Sequence, residues 1–160
     1  DMGVISRSEM FPLPAHLIVE DLFATSLVIC APTGHPLASR LSVTPNELAA
    51  QRLIAFRRGY LLHEIAHKLF GEQKLNIVYY TDNSESAKRM IAAGVGITLL
   101  AECGIVDDVL RRSGKIVYLP VEDAAAQIVV CAIRSQSVPP SSAAQALWMM
   151  LRQQARSQPP

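Results

Sequence analysis

Concentrated positive charge is what this chain most conspicuously lacks. No basic run exceeds two residues, and 15 Lys and Arg stand against 14 Asp and Glu. Without a cationic stripe, this stretch of chain has no electrostatic grip on a nucleic-acid backbone. No apolar run reaches the eighteen or so residues that cross a bilayer, and nothing resembles a secretory signal. A cytoplasmic chain with no membrane partner is therefore expected. The three cysteines, Cys30, Cys103 and Cys131, are too few and too scattered for a disulfide framework or a zinc knuckle. Cys30 and Cys131 fall in apolar runs, where a thiol behaves as a small hydrophobe. There is no G-x-S-x-G nucleophile elbow, and Gly94-Val95-Gly96 lacks the third glycine and the preceding strand of a dinucleotide loop. No catalytic residue, metal ligand or cofactor is expected, and the chain reads as a non-enzyme.

What is present is a core-forming pattern, with half the residues apolar. The stretch Asp82–Glu102 (DNSESAKRMIAAGVGITLLAE) is the most informative. Asp82 reads as an N-cap, with Glu85 three residues on to complete a capping box. Ala87, Met90, Ile91 and Gly94 recur at helical spacing, Gly94 suits a left-handed stop, and Gly96 suits a close backbone approach. Ile97–Ala101 then reads as a strand covered on both faces. Elsewhere, Thr44-Pro45-Asn46-Glu47 predicts a capped helix start. Arg52–Phe56, Leu75–Tyr80, Ile116–Leu119 and Gln127–Ile133 read as strands. Leu61–Phe70 is a helix stopped by Gly71, and Ile105, Val106, Val109 and Leu110 form one face of another, ending before Gly114. A last helix carries Ala144, Leu147, Trp148 and Leu151 on one side, with a frayed tail over 157–160. The alternation of strand and helix between 52 and 119 predicts a parallel sheet with helices on both faces. Ligands bind such sheets beyond the carboxyl ends of the strands, here Phe56–Gly59, Thr81–Ser84 and Ala101-Glu102. The runs at 27–31 and 128–133 flank this unit and suit paired crossovers between two lobes. The opening Asp1-Met2-Gly3-Val4-Ile5 reads as the interior of an element, so a piece of a longer chain is expected.

His63-Glu64-Ile65-Ala66-His67 is a literal HExxH on a predicted helix. It puts two histidines on one helix face, with Glu64 able to polarise a metal-bound water. Against a zinc hydrolase, these residues and Lys68 fall on the polar side of an otherwise core-facing helix. Lys68 also sets a cation beside the second ligand, and His16, His35 and Glu85 offer no convincing third. A solvated helix face is the expectation, with the hydrolase as the last of three readings.

The run Leu27-Val28-Ile29-Cys30-Ala31-Pro32, followed by His35-Pro36-Leu37-Ala38, resembles the crossover segment of LysR-type transcriptional regulators. Glu47-Leu48 with Leu53-Ile54-Ala55-Phe56 is similar to the family's next block. Ala92-Ala93-Gly94-Val95-Gly96-Ile97-Thr98-Leu99-Leu100 resembles its glycine block, with Ala101 where many members carry proline. The likeness spans about residues 1–155. It implies an α/β, periplasmic-binding-protein-like (type 2) fold of two lobes with parallel and mixed sheets, the first lobe incomplete. Residues 1–31 and 128–155 would belong to regulatory subdomain I and 32–127 to subdomain II. By the same likeness, the DNA-binding winged helix-turn-helix is expected to lie outside this stretch of chain. A small effector, an anion by its surroundings, would bridge the lobes in a cleft. The binding residues would be Arg57, Gly59 and Tyr60 in one loop and Asn83 and Ser84 at a helix start, with Thr33 and Thr98 as lesser contributors. The implied partners are the effector, a second or further copies as homodimer or homotetramer, and DNA only through the missing domain. A solute-binding domain of the same fold is the second reading.

Overall fold

The computed structural model describes residues 2–105, 108–122 and 128–157. Asp1 of the expected opening element, Val106 of the expected helix face, Gln127 of the expected last strand and residues 158–160 of the expected tail lie outside the described residues. The chain divides into two compact units, one made of 1–25 with 126–160 and the other of 26–125.

Unit 1 is a three-stranded antiparallel sheet in the order β1 (Met2–Ser8), β8 (Ile128–Ser135), β2 (Leu17–Thr25). A helix, α5 (Ser142–Ser157), packs on β2. The strand β2 is unexpected from the sequence. Its pairing with β8 slips between Asp21 and Phe23, a bulge that breaks the period-two pattern by which strands are recognised. On α5 the buried anchor is Trp148, whose ring lies 5.3 Å from the Arg134 guanidinium, while Arg152 pairs with Glu20 at 2.9 Å. Leu147 is the exception to the expected stripe and is exposed.

Unit 2 holds β3 (Leu27–Pro32), α1 (Pro45–Ala49), β4 (Arg52–Phe56), α2 (Leu61–Phe70), β5 (Asn76–Thr81), α3 (Ser84–Ala92), β6 (Thr98–Ala101), α4 (Val109–Arg112) and β7 (Ile116–Pro120). The strands β4 and β5 run parallel, and a parallel bridge from Leu53 to Ile97 joins them to the group β6-β3-β7. The order is thus β5-β4-β6-β3-β7, with β3 antiparallel to both of its neighbours. The sheet is mixed, where alternation alone predicted a parallel one. Its core gathers Val28, Cys30, Ile54, Phe56, Ile91 and Leu100 from strands and α3. The capping box of Thr44 and Glu47 on α1 forms as expected.

Two expectations about organisation change. The run 27–31 does not pair with 128–133 as a double crossover, because β3 sits in the sheet of unit 2 and β8 in that of unit 1. The expected boundary at residue 31 accordingly moves to 25, since every residue of β3 from Val28 onward is paired with β7. An apolar strand read from sequence has no direction, so its partner cannot be read either.

Candidate functional site

In unit 2 the registers decide which ends of the chain meet. Phe56 stands opposite Thr81 in the parallel pair, and the Arg57 N–H donates to the Thr81 carbonyl at 2.9 Å. The strand ends of β4 and β5 are therefore side by side. Because β6 runs parallel to β4 and β3 runs the other way, Ala101 and Leu27 close the same edge. This one edge collects the Arg57–Tyr60 loop, the start of α2, the start of α3, and the junctions at Ser26 and Glu102. The Glu102 N–H donates to the Ser26 carbonyl at 2.9 Å.

Each element reaches that edge for a local reason. Gly59 has φ of +94°, a conformation that lets the loop turn from β4 into α2. Arg57, Arg58 and Tyr60 are exposed there. Tyr60 is the N-cap of α2 and supplies no side-chain hydrogen bond, so the first turn of this ten-residue helix has no side-chain acceptor at its N-terminus. At α3 the cap is Asn83, not Asp82 as the sequence suggested. The buried Thr81 hydroxyl accepts the Asn83 N–H at 3.1 Å and donates to the Asn83 carbonyl at 3.0 Å, which fixes Asn83 at the cap. The Asn83 side chain then accepts the Ser86 N–H at 2.9 Å. Glu85 does not complete a capping box but pairs with Lys88 at 2.7 Å. Asn83→Ala is expected to cost about 1 kcal/mol in urea unfolding, as cap removal does elsewhere.

Of the seven expected binding residues, Arg57, Gly59, Tyr60, Asn83 and Ser84 are brought to this edge. The other two are not. Thr33 follows the carboxyl end of β3, which the antiparallel register puts at the opposite end of the sheet, and its hydroxyl donates to the Gly114 carbonyl at 2.7 Å. Thr98 is buried, and its hydroxyl donates to the Ile54 carbonyl at 2.6 Å, a strand-to-strand tie rather than a ligand contact. Sequence reasoning placed Thr81 at this edge but missed its part in holding the true cap two residues on. Glu102 falls at the strand end expected from the sequence, whereas Ser26 was missed, because it joins the edge only once β3 is known to run backwards.

Beneath the edge, α3 is held by a polar network. Lys88 is 2 % exposed, and its ammonium donates to Asp108 at 3.1 Å as well as to Glu85. Asp108 caps α4 by accepting the Leu110 N–H at 2.8 Å, and the Tyr118 hydroxyl donates to its other oxygen. Burial pushes the Asp108 carboxyl up, but the hydrogen bonds from Tyr118, Lys88, Leu110 and Arg111 outweigh it and hold it below the usual carboxylate value. Cys30 lies beside Tyr118, and burial pushes its thiol up to about 12, so it stays protonated and unreactive.

In α2, His63 is half-buried and His67 is exposed. Among the described residues no three of His, Cys, Asp and Glu are grouped to hold a metal, so the HExxH motif has no third protein ligand. Also among the described residues, no helix is long and apolar enough to cross a membrane. Unit 1 has its own wide recess of about 760 Å³ bordered by Arg7, Phe11 and Asp21, but its arginine is already bound to Asp21 through Nε and Nη2.

The folded structure has close counterparts. It superposes on the regulatory domain of CcmR from Synechocystis PCC6803, solved in complex with 2-PG, with a TM-score of 0.85 and 19% identity, covering 100% of this chain and 76% of that one. The effector binding domain of QuiR, solved with shikimate, gives a TM-score of 0.80 at 17% identity, covering 98% of this chain and 72% of that one. These likenesses show the fold. Among curated relatives, the uncharacterized HTH-type transcriptional regulator YybE of Bacillus subtilis is 36% identical over 83 residues, 51% of this chain and 28% of that protein. The DNA-binding transcriptional dual regulator OxyR of Escherichia coli is 27% identical over 121 residues, 74% of this chain and 37% of that protein. The chain thus spans about a third of the length of the curated relatives it matches. The model of the LysR substrate binding domain matches residues 1–156, nearly the whole chain, and to that family the chain belongs.

Proposed function

We propose that this chain is the effector-sensing part of a LysR-type DNA-binding transcription regulator, and that the effector is a small carboxylate or other small anion. The observation that carries this is the convergence on one sheet edge of an arginine-bearing loop and two helix starts. Helix starts present N–H groups and the positive end of the helix dipole, and α2 has no side-chain acceptor of its own there. Arg57 adds a charge-assisted partner for an anion. The small molecules held by the CcmR and QuiR domains support a small-molecule ligand. The regulators among the curated relatives favour transcription control over solute transport.

A ligand acts by binding one arrangement of the regulator more tightly than another and so shifting the balance between them. DNA is contacted by a separate winged helix-turn-helix, and the regulator works as a homodimer or homotetramer in the cytoplasm. This domain performs no catalysis of its own. A thermal-shift screen of small carboxylates against the chain tests the reading. A true effector at a hundred times its Kd raises stability by about 2.7 kcal/mol, dose-dependently. In Arg57→Ala its affinity is expected to fall about tenfold. An effector whose affinity is the same in both proteins contradicts the assigned role of Arg57.

A further inference from the structure

The HExxH helix carries a feature that sensing at the sheet edge does not use. His63 Nδ1 lies 2.9 Å from the Phe56 carbonyl oxygen. A carbonyl oxygen can only accept, so Nδ1 carries the hydrogen and Nε2 of the neutral ring keeps its lone pair. This is the arrangement by which metal-binding histidines are usually oriented, one nitrogen tied to a carbonyl and the other presented. His67, one helical turn on, lies on the same face. The two ring centres are 5.4 Å apart. A tetrahedral zinc-type ion about 2.0–2.1 Å from one nitrogen of each ring puts the ring centres roughly 5 Å apart. The two spacings agree.

The space beside the rings is open. His63 and His67 line a cavity of about 220 Å³ between α2 and β5, together with Gln73 and Tyr80 and an apolar wall that includes Phe70 and Ile77. Water can therefore complete the coordination that the protein leaves unfilled.

We propose that His63 and His67 form a two-histidine seat for a borderline divalent cation such as zinc, with water in the remaining positions. It is not a peptidase centre, because no third protein ligand stands with them among the described residues. Half the ligand set of a structural zinc site corresponds to a Kd on the order of 1–100 µM. The proposal is independent of the effector reading, since α2 presents these histidines to its β5 side whatever binds at the strand ends.

The test is calorimetric titration of zinc chloride into the untagged 160-residue chain in a non-chelating buffer. One equivalent is expected to bind in that range, and His67→Ala is expected to weaken it at least tenfold. His67 is exposed, so its removal leaves the fold intact, which circular dichroism of the variant checks. The control substitutions His16→Ala and His35→Ala leave binding unchanged. No saturable binding up to about 1 mM zinc, or binding indifferent to His67→Ala, would overturn the proposal.

Discussion

Replacing Asp108 with alanine is expected to cost about 3–5 kcal/mol of stability, the range found when one partner of a buried ion pair is removed. The side chains of Lys88 and Asp108 are 3% and 4% exposed, so neither charge is solvated by water when its partner goes. Alanine also strips the N-cap of α4 and the acceptor of the Tyr118 hydroxyl. Asp108→Asn keeps one acceptor oxygen for the cap and sets an amide NH2 where the Tyr118 hydroxyl donated, so it loses part of what alanine loses and should cost less. Lys88→Met leaves Asp108 with three donors and takes the buried cation away, so it is expected to be milder than Asp108→Ala. A double-mutant cycle of Lys88→Met with Asp108→Asn, followed by urea unfolding, should return a coupling of about 0.5–3 kcal/mol. Zero coupling would mean that the pair acts only as packing.

The same network sets a pH dependence. The carboxyl of Asp108 is held below its ordinary value, so its contribution is fully present above the unfolded carboxylate pKa and is lost as pH falls through the lower folded value. Acid unfolding of the parent below about pH 4 should therefore be steeper than that of Asp108→Asn. Equal slopes in the two proteins would contradict the assignment.

Gly96→Ala is the second large effect, expected at about 2–3 kcal/mol, the upper part of the range for overpacking. A Cβ at Gly96 would stand 2.5 Å from the carbonyl oxygen of Arg52. That oxygen cannot swing aside, because it accepts the Ile97 N–H at 2.9 Å. The Ile54 N–H answers to the Ile97 carbonyl at 2.8 Å, so this crossing is where β4 and β6 are joined. Chemical denaturation of Gly96→Ala measures the loss. A change under about 0.5 kcal/mol would show that the backbone separates there without strain.

Local signals were legible in the sequence wherever one residue type has one physical use. Gly94 does take positive φ, at 79°, and Gly96 does mark a close approach. The Thr44 cap and the span of α2 follow from capping chemistry and an unbroken apolar stripe. What stayed hidden depended on partners distant in the chain. The bulge concealed β2, and the direction of β3 concealed that Thr33, expected from the family resemblance, lies at the opposite end of the sheet. The pairing of Lys88 with Asp108 has no local signal, because the two lie twenty positions apart in the chain. Asn83 displaced Asp82 as the cap because the buried hydroxyl of Thr81 holds its backbone from both sides.

The account depends on small anions being held where β4 and β5 end. Amide chemical shifts of the isotope-labelled chain, followed through a titration with a carboxylate that raises its melting temperature, test this directly. Shifts concentrated at Arg57–Tyr60 and Asn83–Ser86 are the expected result. Shifts confined to the Arg7 recess of unit 1, or to the far end of the sheet at Thr33, would contradict it.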